Sequence, residues 1–149
     1  MSRKPTKTQR LVRLNAFREE RADDALRLAL KDQSRVRDEH ASAASAIERI
    51  GQWKSPGSPD VALDLTTYDQ ALELERVAMA RADALGKQLA ERERSTERAR
   101  QEMSRAVSAA RVSSRRGRQE AARSDAEQEK HVFDAVSDVW LNNRKPTHD

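Results

Sequence analysis

Small and apolar residues recur at alternating steps of three and four along one long stretch of the chain: Ala82, Leu85, Leu89, Arg92, Thr96, Ala99, Met103, Ala106, Ala110, Ser113 and Gly117. A spacing of 3.5 residues is the seam of a left-handed coiled coil. Most of these knobs are small, so two backbones can approach closely while burying little area. Tight packing with marginal stability is expected. Closer to the N-terminus, Leu14, Phe17, Ala25, Leu28, Val36, Ala43, Ile47 and Ile50 form a less regular matching stripe, with Arg21 and Asp32 falling within it.

One break separates the two stripes. The segment Lys54 to Thr66, KSPGSPDVALDLT, holds Pro56, Gly57 and Pro59 and cannot continue a helix. From Pro5 to Trp53 the only interruption is Gly51, at the end where a helix stops. Thr66 and Thr67, with Asp69 and Gln70 three residues on, give two overlapping capping-box frames, and no Pro follows until Pro146. The pattern therefore predicts an all-α antiparallel hairpin forming a single domain. Helix one runs over about 5–53, a turn over 54–66 and helix two over about 67–141, followed by a flexible tail at 142–149. At ~1.5 Å per residue the helices would measure roughly 70 Å and 110 Å. Glu91–Arg94, Glu97–Arg100, Glu102–Arg105, Glu120–Arg123 and Glu127–Lys130 all lie three apart, and each such pair supports a helix by ~0.2–0.5 kcal/mol.

Folding at the break pairs residues whose numbers sum to about 120, so helix one runs out near Arg115, close to where the seam ends at Gly117. Beyond it Phe133, Val136, Val139, Trp140 and Leu141 crowd the end of a helix with no intrachain surface left to cover them. They predict a docking tip for another chain.

Composition narrows the function. Charged and apolar residues each make up 36% of the 149 residues, aromatics 3%, and Gly and Pro number four each, which excludes a sheet fold. Cys is absent, so there is no disulfide frame, thiolate nucleophile or Cys metal site. Neither a secretory leader nor a run of ~18–20 apolar residues is present, and the expectation is a soluble cytoplasmic protein without membrane insertion. The scattered glycines form no phosphate loop, and His40, His131 and His148 lack the spacing of paired ligands. Glu127 and His131 share a helix face but make a lone pair on a solvated surface. The carboxylates are interleaved with Arg, which keeps them ionised and removes the perturbed pair that acid–base catalysis requires. No catalytic residue, cofactor, metal or small-molecule substrate is expected.

Charge is uneven. Residues 1–55 carry 13 Lys or Arg against 8 Asp or Glu, whereas helix two carries 14 of each. Within helix two, Arg111, Arg115, Arg116 and Arg118, with Arg105 and Arg123, face only Glu120. This stripe is a solvated face, a patch for an acidic protein surface, or a phosphate-binding site. The sequence pI of about 9.7 permits the last, but no aromatics interleave the stripe to stack bases.

The layout of two long charged helices, a Pro-containing turn, a basic N-terminus and the C-terminal run EQEKHVFDAVSDVW, Glu127 to Trp140, resembles the central stalk family of type III secretion systems. Members are called SctO or YscO in injectisomes and FliJ in flagella. The resemblance implies a shape similar to the coiled coil of the γ subunit of rotary ATP synthases. It further implies paired termini that insert into a hexameric secretion ATPase and promote its assembly and activity, a turn end directed to the export gate, and binding of unoccupied export chaperones. Flagellar members touch the gate through an aromatic, a Leu, a small and a polar residue at i, i+4, i+7 and i+11. Here that spacing gives Tyr68, Leu72, Glu75 and Met79, of which Tyr68 and Leu72 match in kind and Glu75 and Met79 depart. The alternative is that Tyr68 and Leu72 pack on Trp53 and Ile50 to close the turn. On this reading the protein is a monomeric hairpin and probes for nucleic acid are negative. The alternatives are an Arg-rich helical nucleic-acid-binding protein and a dimeric coiled-coil scaffold or chaperone.

Overall fold

The computed structural model describes residues 6–54 and 64–144. The break at Pro56, Gly57 and Pro59 and the tail from 145 onward lie outside them. Two helices pack against each other as an all-α hairpin: α1, Lys7–Lys54, and α2, Leu65–Asn143. Their lengths of 48 and 79 residues correspond to about 72 Å and 118 Å at ~1.5 Å per residue.

Both helix starts are chemically defined. The Thr6 hydroxyl accepts the Gln9 backbone N–H at 3.2 Å, while the Gln9 side-chain carbonyl accepts the Thr6 N–H at 3.0 Å. This reciprocal capping box satisfies two donors that a helix start leaves open. At the start of α2 the capping residue is Asp64, not Thr66 or Thr67: its carboxylate accepts the Thr66 N–H at 3.1 Å and the Thr67 hydroxyl at 3.2 Å. Carboxylate oxygens at this position also match the positive end of the helix dipole, which a threonine hydroxyl does not.

The chain divides into two compact units, residues 21–104 and a terminal unit of 1–20 with 105–149. In the first, Val36, Ala43 and Ile50 of α1 and Ala71, Leu85 and Thr96 of α2 are buried, Val36 and Thr96 to 1% exposure. The α2 residues turned from solvent continue the 3–4 alternation back to Tyr68. Arg92 is the exception in that series, reaching out to Asp32 on α1 at 3.0 Å. The Thr96 hydroxyl donates to the Ala29 carbonyl across the seam at 3.4 Å, and His40 lies against Gly86. These level pairs have numbers summing to 124–126, about five more than the 120 expected. The cause is an asymmetric turn end: α1 stops at Lys54, which pairs with Glu75, whereas α2 already begins at Leu65.

The first-arm stripe also differs from expectation. Val36, Ala43, Ile47 and Ile50 face the seam, but Leu14, Phe17, Ala25 and Leu28 are exposed, Leu28 to 70%. The residues turned inward in their place are Thr8, Val12, Asn15, Glu19, Ala22, Leu26, Ala29, Gln33 and His40. Of the five expected (i, i+3) ion pairs, Glu97–Arg100 forms among the described residues, at 3.7 Å.

Candidate docking surfaces

Within the terminal unit, α1 opens beside α2 with a polar seam. The Asn15 amide is buried and donates to the Ala109 carbonyl at 3.4 Å, and Ser113 is buried with its hydroxyl donating to Ala110 at 3.0 Å. Gly117 closes the paired stretch: a Cβ there would meet Val12 at 3.3 Å and Thr8 at 3.9 Å, so the missing side chain lets the helices approach. A buried Asn at a seam position fixes register at some loss of stability, because sliding the helix would strand its amide.

Around this seam lies a collar of unbalanced charge. Residues 7–20 and 105–118 carry nine Lys or Arg (Lys7, Arg10, Arg13 and Arg18 on α1; Arg105, Arg111, Arg115, Arg116 and Arg118 on α2) against Glu19 and Glu20 alone. None of the nine forms an ion pair among the described residues. Leu11 and Val112, both partly exposed, form the lips of a shallow groove floored by Asn15, Ala109 and Ser113 and edged by Arg116.

Beyond Gly117 every residue of α2 except the half-buried Ser137 is exposed. This overhang inverts the charge: residues 119–143 hold Glu120, Asp125, Glu127, Glu129, Asp134 and Asp138 against Arg123 and Lys130. The positions that would continue the hairpin seam are Glu120, Ser124, Glu127, His131, Asp134 and Asp138, all polar. Its apolar residues occupy a different face. Phe133 is 71% exposed and Trp140 54%, with Val136, Val139 and Leu141 similarly open. The Arg144 guanidinium stacks over the Trp140 ring at 4.0 Å, a cation–π contact that covers one ring face and leaves the other open. Asp125 and Glu129 rim the shallow hollow formed by Val132, Phe133 and Val136.

No family model, curated protein or solved structure matches the chain.

At the turn end the four residues at gate spacing form one stripe along the edge of the α2 seam, two of them inward and two outward. Tyr68 and Glu75 turn toward α1, and Glu75 is taken by Lys54 in a half-buried ion pair, whereas Leu72 and Met79 point outward. Nearby, Leu74 and Val77 line a groove with Ala46 and Ile50, bordered by Asp38, Glu39 and Arg81. Sequence reasoning passed over Leu74 and Val77 because they lie outside the seam phase; two large apolar residues three apart, off-phase, were the available signal. Among the described residues no group of three metal-capable side chains occurs, and no helix is long and apolar enough to cross a membrane.

Proposed function

We propose that the chain is a non-enzymatic central stalk of a type III secretion ATPase complex. Its paired termini and α2 overhang enter the hexameric ATPase, and its turn end couples to the export gate and export chaperones at the cytoplasmic face of the apparatus. The observation that carries this reading is the overhang: a single exposed helix whose apolar face is out of phase with the hairpin seam, directly after a collar of arginines that form no ion pair among the described residues. A narrow protein pore suits such an end. Phe133, Val136, Val139, Trp140 and Leu141 supply the desolvated contact, since burying a ring is favourable where burying an unpaired charge is costly. Arg111, Arg115, Arg116 and Arg118 then meet acidic surface at the ring mouth, where exposed charge pairs govern association rate and salt dependence. Leu72 and Met79 are the outward residues offered to the gate.

The test is stimulation of a hexameric type III secretion ATPase. Phe133→Ala with Trp140→Ala, or removal of 133–149, is expected to leave helix content unchanged and reduce stimulation several-fold. Full stimulation by the shortened chain contradicts insertion of this end. Charge reversal of the four arginines is expected to slow association most at low salt. If it abolishes DNA binding and spares the ATPase, the nucleic-acid reading replaces this one.

A further inference from the structure

The terminal unit carries two surfaces that complement each other but cannot meet within one chain. The collar is apolar at Leu11 and Val112 and rimmed by arginine; the overhang is apolar at Val132, Phe133 and Val136 and rimmed by carboxylates. Both lie on the continuous helix α2, so the overhang cannot fold back onto its own collar. A second copy running antiparallel can bring overhang to collar twice over, because a two-fold axis repeats every contact.

We propose that the protein self-associates through this unit as a reversible two-fold dimer, the overhang of each chain lying on the collar of the other. It goes beyond the stalk reading and does not rest on it. Spacing supports one register. When α2 residues of the two chains pair at numbers summing to about 245, Arg116, at the edge of the collar groove, comes level with Glu129, at the edge of the overhang hollow. The same register sets Val112 opposite Phe133 and Ala109 opposite Val136, large side chains against small or open positions. Arg105 comes level with Trp140, whose indole already accepts one guanidinium in the isolated chain. The 25-residue overhang spans about 37 Å at ~1.5 Å per residue, enough to cover the 14 collar residues of α2. The hairpin seam is not opened, since the face engaged is Ala109, Val112 and Arg116, not Ala110, Ser113 and Gly117. Such a dimer hides the overhang, so any partner that takes the overhang competes with the second copy.

Sedimentation equilibrium of the full chain tests the proposal through a charge swap. Wild type is expected to dimerise reversibly at about micromolar to tens of micromolar concentration, more weakly as salt rises, because exposed charge pairs are screened. One variant reverses the collar charge that faces the partner (Arg116→Glu) and another the overhang charge level with it (Glu129→Arg). Each alone is expected to weaken self-association at least tenfold. Mixed one to one, they restore opposite charges at every contact and are expected to pair within a few-fold of wild-type affinity. That restoration also shows that both variants are folded. Wild type that stays monomeric at about 500 μM, variants that dimerise like wild type, or a mixture that fails to pair would each overturn the proposal.

Discussion

Residues 21–104 and the terminal unit are built from the same helices, yet they treat charge in opposite ways. In the first, 14 Lys or Arg meet 14 Asp or Glu within the two helices, and the ion pairs Asp23–Arg27, Asp32–Arg35, Arg35–Glu39, Asp32–Arg92, Lys54–Glu75, Glu73–Arg76 and Glu97–Arg100 all lie there. Its seam holds Val36, Ile50 and Leu85. In the terminal unit charge is sorted into a basic collar and an acidic overhang, the buried seam residues are Asn15 and Ser113, and the largest apolar side chains face water. One unit pairs charge within itself, although Leu28, Trp53 and Leu65 stand open on it too. The other leaves charge and apolar area open in blocks, which is how a surface is kept for a partner.

The sharpest way to break this contrast is to place the same charge in both units. Val36→Asp puts a carboxylate at a 1% exposed seam position with no cation level with it, and is expected to destabilise the hairpin by about 3 kcal/mol or more. Val136→Asp, on the open overhang, is expected to change stability by less than about 0.5 kcal/mol. Thermal or urea unfolding monitored by circular dichroism checks both, and equal losses would dissolve the distinction. A smaller effect is expected at the turn end. The Lys54 and Glu75 side chains are 20% and 18% exposed, between a surface pair and a buried one, so Lys54→Met leaves the carboxylate partly stranded. A loss of about 1–2 kcal/mol is expected, against about zero for Arg116→Met in the collar.

Glycines sharpen the contrast further. A Cβ at Gly51 meets nothing within 4 Å, so Gly51→Ala is expected to stabilise by up to about 1 kcal/mol through helix propensity. At Gly117 the same gain is opposed by Val12 at 3.3 Å, and no net stabilisation is expected. The smallest effect is one of pH. The Arg35 guanidinium that hydrogen-bonds Asp32, opposed by partial burial and aided by Arg92, holds the Asp32 carboxyl below its ordinary 3.8. Arg76 lowers Glu73 in the same way from 4.5. A depressed carboxylate stabilises the fold above its unfolded pKa, and that contribution disappears as pH falls through the folded one. Stability of residues 21–104 should therefore decline as pH drops below about 4, and Asp32→Asn should flatten the decline in an acid titration of the unfolding midpoint.

The hairpin and the α2 seam were legible in the sequence because small residues at 3–4 spacing and a single Pro-bearing break leave few other folds. The inner face of α1 was not. Small α2 knobs leave room opposite them, so His40 sits against Gly86 and Asn15 reaches a backbone carbonyl. Polar residues thereby occupy the seam while Leu14, Phe17 and Leu28 stand outside. Hydrophobicity misassigns a face wherever the partner is this slim. The pairing level was shifted because the turn was taken as symmetric. The exposed state of Phe133 to Leu141 was legible because the partner helix runs out, whereas the off-phase rotation of that apolar face emerges only once the seam is traced through Gly117. Tyr68 and Glu75 turn toward α1 because gate spacing and seam spacing coincide at i and i+7.

Amide hydrogen exchange along the dilute full chain, alone and with the hexameric ATPase, tests most directly whether the terminal unit is the open end. Protection is expected through residues 21–54 and 65–104 and the paired stretch up to Gly117, with fast exchange beyond it that slows markedly over residues 119–143 when the ATPase is added. Protection of the overhang in the isolated dilute chain, or ATPase-induced protection confined to Tyr68–Met79, would contradict the account.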